Sequence, residues 1–218
     1  MHRPAVNLVE EPQPAAGART VGVLALQGAF LEHINVLRRL GVRARPIRAP
    51  EQLAGLDALI IPGGESTTIG KLAVRWGLVG PLNQFIAGGK PVWGTCAGLI
   101  LLAKEVGPPP VPPRLGAMDI SVDRNAFGRQ VDSFEADLPA DFLPGGGAFT
   151  AVFIRAPRIT AVGAGVTPLM WLGDEVVAAA QNRQLLATTF HPELTGDPRL
   201  HQYFLSLIDR QSAPVTDL

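Results

Sequence analysis

Two short stretches carry residue types that could do covalent chemistry together. The first is Gly94-Thr95-Cys96-Ala97-Gly98. It has the glycine–x–nucleophile–x–glycine pattern of a nucleophile elbow, with cysteine in place of serine. An apolar run precedes it and another follows, as a strand–turn–helix requires. Such a sharp turn strains the nucleophile, and the small flanking residues let neighbouring chains approach. A helix starting at Ala97 would favour a thiolate at Cys96, and the Ala97 N–H would point where an oxyanion forms. The second stretch is His191-Pro192-Glu193. In extended chain, residues i and i+2 project to the same side, so His191 and Glu193 can lie together as a base and its orienting carboxylate. By itself Cys96 reads as a buried structural thiol and His191 as a loop histidine. Together the two stretches read as a Cys96–His191–Glu193 triad.

A third stretch, Pro62-Gly63-Gly64-Glu65-Ser66-Thr67-Thr68, follows an apolar run and opens a helix. Its glycines allow positive φ and expose backbone N–H groups. One of these, Gly64 for choice, would complete an oxyanion hole with Ala97. A phosphate cradle is the rival, but the spacing to Gly70-Lys71-Leu72 does not fit a P-loop. Ser66 is the expected helix cap. Gln27-Gly28 opens on the same edge and could line the site. The other histidines have weaker claims: His2 near the start, His33 on the first helix, and His201 on the last helix at its surface.

These residues need a scaffold, and the chain alternates strand and helix up to about residue 104. Strands are expected at Val21–Leu26, Val42–Ile47, Asp57–Pro62 and Pro91–Gly94. Helices are expected from Phe30 to Gly41 and over Ser66–Arg75, Pro81–Ala87 and Ala97–Lys104. This implies a mostly parallel sheet with helices on both faces, whose strand ends gather ligands at one edge. From about 116 to 190 short β-like runs replace the alternation: Asp119–Val122, Val152–Ile154, Val176–Ala180 and Leu185–Phe190. A last helix is expected over Pro198–Ile208. Gly107–Pro113 holds five prolines and reads as a stiff exposed loop.

Composition narrows the class. The chain has 218 residues, 19 basic and 19 acidic side chains, and 47% hydrophobic residues. It can bury a sizeable core. Lacking a basic excess, it is not held by nucleic-acid phosphates. No apolar run reaches the roughly 18 residues a membrane span needs. A single cysteine excludes an internal disulfide and any multi-cysteine metal site, and fits a reducing, cytoplasmic setting. The 24 glycines and 20 prolines exceed the usual combined share of roughly 12%, so turns are plentiful. Residues 1–19 lack the apolar stretch of a signal peptide and read as a disordered tail. Residues 20–210 read as a single domain and 211–218 as a second tail.

Six segments together resemble a known family: Gly22–Gly28 (GVLALQG), Pro62–Thr68 (PGGESTT), Gly94–Ile100 (GTCAGLI), Arg124–Asp137 (RNAFGRQVDSFEAD), Phe153–Pro157 (FIRAP) and Phe190–Thr195 (FHPELT). They resemble the glutaminase subunits of pyridoxal 5′-phosphate synthase, within the class I (triad) glutamine amidotransferases. The GTCAGLI and HPE segments mark only the broad class; the 124–137 and FIRAP segments are narrower. The resemblance implies a three-layer, flavodoxin-like α/β fold. It implies hydrolysis of L-glutamine to glutamate and ammonia, without metal or cofactor, and transfer of the ammonia to a synthase subunit. By motif, Cys96 is the nucleophile, His191 the base and Glu193 its partner. Gly64, Glu65, Ser66, Arg124, Ile154 and Arg155 match glutamine-binding positions. Arginines suit a free amino acid, whose α-carboxylate they bind in bidentate fashion.

Other readings are a glutaminase subunit serving a different synthase, and a Cys-elbow hydrolase or redox protein whose thiol is oxidised rather than acylated. The 124–137 segment argues against the former, the His191-Pro192-Glu193 placement against the latter.

Overall fold

The computed structural model describes residues 19–124 and 133–212. The expected tails over 1–18 and 213–218, and residues 125–132 of the narrow motif, lie outside the described residues.

The first strands are β1 (Thr20–Leu24), β2 (Arg43–Ile47), β3 (Ala58–Ile61) and β4 (Val92–Thr95). With β12 (Leu185–Thr188) they form the order β2-β1-β3-β4-β12, parallel throughout. β1, β3, β4 and β12 are buried along their full length, because helices cover both faces. Alternate residues of β3 feed separate cores. Leu59 and Ile61 pack with residues of α2 (Ser66–Arg75), α3 (Val79–Ala87) and α4 (Ala97–Leu102). Ala58 and Ile60 pack with residues of α1 (Phe30–Arg39) and α5 (Arg199–Ser212). Three layers result, as the resemblance implies.

Beyond β12 the sheet turns antiparallel, through β11 (Val176–Asn182), β9 (Arg158–Val162) and β6 (Met118–Asp123). β5 (Ala103–Val106) closes that edge, parallel to β6, and β10 (Thr167–Leu172) pairs with β11. A separate hairpin of β7 (Ser133–Pro139) and β8 (Ala148–Ile154) packs on the α1/α5 face through Phe149 and Phe153.

Several boundaries differ from the sequence expectation. The helix after Cys96 stops at Leu102, and Ala103 and Lys104 belong to β5, since β6 offers a strand partner. α5 runs four residues past the expected Ile208. Arg19 is not part of a free tail. Its guanidinium donates to Leu205 O at 3.3 Å and pairs with Asp209, both on α5. The proline loop is largely exposed, but Pro112 is buried and Pro113 packs so closely on α2 that a Cβ at Gly70 would lie 2.4 Å from Pro113 O.

Candidate active site

Cys96 stands between β4 and α4 with φ +47° and ψ −102°. This left-handed conformation costs a non-glycine residue about 1–3 kcal/mol. The surrounding chain enforces it. Cys96 N donates to Thr188 O on β12 at 2.8 Å. A Cβ at Gly98 would lie 1.9 Å from Ile61 O, and one at Gly94 would lie 2.5 Å from the Gly98 carbonyl. Both flanking glycines are therefore there for close approach, as the elbow pattern predicts. α4 has only six residues, so its dipole contributes less at Cys96 than an eight-residue helix over 97–104 would have.

His191 leaves the end of β12, and its N–H donates to Val152 O on β8 at 2.8 Å. Its side chain faces, on one side, the cavity it lines together with Cys96, whose thiol lies 4.0 Å from Ile154 O. On the other, Nδ1 lies 2.7 Å from Glu193 Oε1, which leaves Nε2 for the sulfur. Burial pushes the His191 pKa down, but the hydrogen bonds and charges of Cys96 and Glu193 outweigh it and raise it to about 10. Cys96, His191 and Glu193 are all buried, at 6%, 7% and 5% exposure, so their mutual interactions are weakly screened.

The loop after β3 is built for close contact rather than for unusual dihedrals. Neither Gly63 nor Gly64 uses the positive φ that its residue type allows. A Cβ on Gly63 would lie 2.3 Å from the His191 ring, and one on Gly64 would lie 2.5 Å from Gln27 Oε1. The positive φ falls instead on Gly28, at +95°, where a Cβ would overlap Gly63 O. Gly63 O accepts from Ala29 N at 3.1 Å, and Gly63 N donates to Thr95 Oγ1 at 3.0 Å. Gln27 Oε1 accepts from Glu65 N at 2.7 Å. The Ala97 N–H, first in α4, has no acceptor within its helix.

The cap of α2 is Glu65, not Ser66. The Glu65 carboxylate accepts from Thr67 N, Thr68 N and Thr68 Oγ1 at 2.9, 2.6 and 2.6 Å. Burial, the largest single influence, opposes ionisation, but the bonds from Thr68 and Thr67 together prevail and hold Glu65 down at about 2. Its side chain is thus occupied, as are its N–H, given to Gln27, and its carbonyl, which accepts from Ile69 N at 3.0 Å.

A cavity of about 330 Å³ gathers most of the expected residues. Cys96, Ala97 and His191 line it, with Gly64, Glu65 and Ser66 from the loop. Arg124 follows β6, Ile154 ends β8 and Arg155 follows it; all three line the cavity too. Glu193 stands behind His191 rather than on the wall. Gln27 lines it as expected, and Ile100 joins it unforeseen. Arg124 donates to Pro110 O and lies 3.5 Å from Thr67 Oγ1, so the proline loop helps hold it. Arg155 is exposed, with φ +42°.

Two histidines with weaker claims prove to be core residues. His33 and His201 are completely buried, so His201 is not at the surface as its sequence suggests. Their rings pack against Trp93 at centroid distances of 5.7 and 4.9 Å. A signal was available. Phe30, His33, Ile34 and Leu37 follow the i, i+3, i+4, i+7 rhythm of a buried stripe, as do His201, Phe204, Leu205 and Ile208.

Comparison with known proteins identifies the family. The SNO glutamine amidotransferase family matches residues 23–210. A Herpetosiphon aurantiacus protein named pyridoxal 5′-phosphate synthase subunit PdxT is 59% identical over 190 residues, covering 86% of this chain and all of that protein. A Geobacillus kaustophilus protein of the same name is 53% identical over 188 residues, covering 86% of this chain and 94% of that protein. A crystal structure of a glutamine amidotransferase superposes with TM-score 0.81 at 53% identity, covering 87% of this chain and 98% of that one. A putative GMP synthase component from Thermoplasma acidophilum, 18% identical with TM-score 0.66 over 89% and 96% of the two chains, shares the fold. This chain belongs to the SNO glutamine amidotransferase family.

Proposed function

We propose that this chain is a glutaminase subunit that hydrolyses L-glutamine to L-glutamate and ammonia. It passes the ammonia to a synthase subunit for pyridoxal 5′-phosphate formation, the assembly named for its relatives. The observation that carries the reading is the cavity in which a strained Cys96 meets His191, with Glu193 bonded behind it. Residues 20–210 act as one domain. A cytoplasmic location goes with the single thiol; no described helix is long and apolar enough to cross a membrane.

The chemistry follows from the parts. Cys96, as thiolate, attacks the side-chain amide carbon of glutamine, forming a C–S bond. The Gly64 and Ala97 N–H groups hold the oxyanion. His191 starts protonated, in keeping with its raised pKa, and gives its proton to the leaving nitrogen as the C–N bond breaks. Ammonia departs and a thioester remains. Neutral His191 then takes a proton from water, the hydroxide attacks the thioester, and the C–S bond breaks to restore the thiolate. Glu193 keeps the imidazole oriented and stabilises its charged form. Arg124 and Arg155 are placed to bind the α-carboxylate, while Gly64, Glu65, Ser66 and Ile154 shape the pocket around the amino acid.

Ammonia released to neutral water is mostly protonated and no longer nucleophilic, so hydrolysis should be coupled to docking. The test is steady-state glutamate release by the purified chain, titrated with the synthase subunit. We expect a low rate alone and a rise of at least about tenfold on binding, a differential of roughly 1.4 kcal/mol. No glutamate release with or without a bound synthase would refute the reading.

A further inference from the structure

Behind the triad lies a second row of buried polar groups. Glu193 uses Oε1 for His191; its Oε2 lies 3.3 Å from His33 Nε2 and, among the described residues, makes no hydrogen bond. Neither side chain has any solvent exposure. His33 Nδ1 lies in turn 3.0 Å from His201 Nε2. His201 Nδ1 has no partner among the described residues.

The protons can be assigned by elimination. Burial lowers both pKa values, that of His201 to about 3 with Arg39 adding to the effect, so both rings are neutral. A neutral imidazole has one N–H and one lone pair. Suppose His33 Nδ1–H donated to His201. Then the His33 Nε2 lone pair would face the Glu193 carboxylate, and a His201 N–H would be buried without an acceptor. Both features are costly. In the opposite arrangement His201 Nε2–H donates to His33 Nδ1, and His33 Nε2 turns its N–H, not a lone pair, to the side where Thr95 Oγ1 lies at 3.4 Å and Glu193 Oε2 at 3.3 Å. On His201 only a bare lone pair is then left over. Glu193 Oε2, which makes no hydrogen bond among the described residues, then faces an N–H edge at 3.3 Å rather than a second lone pair.

We propose that His33 is a positioning residue of the triad: it holds Glu193 Oε2 so that Oε1 stays on His191, and His201 fixes the His33 tautomer. The inference rests on the glutaminase reading of Cys96, His191 and Glu193. The groups facing His33 are His201 from α5, Thr95 and the Trp93 ring from β4, and Glu193 and His191 after β12. Thr95 Oγ1, 3.4 Å from His33 Nε2, also accepts from Gly63 N–H. The ring therefore touches the supports of both the carboxylate and the oxyanion loop.

The test compares His33→Leu with His33→Gln, whose amide nitrogen can occupy the Nε2 position, each alone and with Glu193→Gln, in the complex with the synthase subunit. His33→Leu should lower kcat about tenfold and leave KM for glutamine within about twofold, while His33→Gln keeps at least about a third of kcat. With Glu193→Gln present, His33→Leu should cost less than about twofold more, because both changes break one unit. Equal losses for Leu and Gln, or losses that multiply with Glu193→Gln, would overturn the proposal. If His33→Leu does not fold, His33→Asn takes its place, since its shorter amide falls short of Oε2, and the same inequality must hold. The rate of Cys96 alkylation by iodoacetamide at neutral pH should follow the same order of variants, and the reverse order would also overturn it. That second readout needs no glutamine. A wild-type complex that releases no glutamate would thus remove the glutaminase reading while alkylation still decides the role of His33.

Discussion

From β2 to β12 every neighbouring pair of strands is parallel, and β1, β3, β4 and β12 deliver the chain to loops at one edge. Gln27, Gly63–Ser66, Cys96 and the His191–Glu193 pair all leave from that edge. The neighbouring antiparallel half and its hairpin contribute differently. They bring Arg124, Ile154 and Arg155 to the same cavity, on half-buried or exposed positions. The reacting groups are buried and held from several sides; Arg124, Ile154 and Arg155 stand at the half-buried or exposed rim. On the proposed reading, the reacting groups belong to the parallel half, and the antiparallel half adds the arginines that would bind the α-carboxylate.

The strongest test of that division is Cys96→Ala. Glutamine hydrolysis should fall by at least about 10⁴-fold with the fold intact, since only a sulfur is removed. A folded Cys96→Ala protein that releases glutamate at the wild-type rate would take the chemistry away from the parallel half. Next in size are the base and its partner. His191→Ala should cost at least about tenfold more in kcat than Glu193→Gln, because one residue moves protons and the other orients. Equal or reversed losses in the same assay would show that the two roles are exchanged.

The antiparallel half should answer differently. Arg155→Ala and Arg124→Ala should each raise KM for glutamine about tenfold and leave kcat within about threefold, the signature of lost carboxylate binding. A fall in kcat at unchanged KM would break the comparison, moving these arginines into the chemical step. The smallest effect concerns the face of the parallel half under α1 and α5. His33 and His201 have lowered pKa values when folded, so below about pH 6.5 the unfolded chain binds protons that the native one refuses. Stability should fall as pH drops from about 6.5 towards about 3, and His201→Phe should flatten that slope by about one proton. His191 acts in the other direction: raised to about 10, it contributes stability below about 6.5 that is lost as pH climbs to about 10. Denaturant melts across both windows will show whether the two arms exist.

The same division governs what can be read from sequence. The parallel half announces itself, because strands buried on both faces are unbroken apolar runs and helices carry their own stop signals. Ser66–Arg75 is bounded as expected, and Gly41, just past α1, has φ +73°. The antiparallel half depends on partners distant in sequence. Ala103 and Lys104 continue a good helical run, yet β6 draws them into a strand. β7 alternates exposed and half-buried residues along most of its length, so only its pairing with β8 reveals it. At the site, residue types were legible and supporting contacts were not. Nothing in Pro62–Thr68 says that Gly63 must clear the His191 ring, or that Glu65 and not Ser66 caps the helix. Both follow from which loops meet across the strand edge.

The tie between Arg19 and α5 has a practical consequence. Arg19 lies just before β1 and meets Leu205 and Asp209 near the end of the last helix, so both ends of the described fold emerge side by side. Chain entering β1 starts from the sheet edge opposite the catalytic one. A short linker could therefore join the two ends, with new termini opened in an exposed turn, and produce a circular permutant with the cavity untouched. For the same reason, a purification tag, a surface anchor or a fluorescent domain attached near either end would leave the cavity facing outwards, free for glutamine to enter.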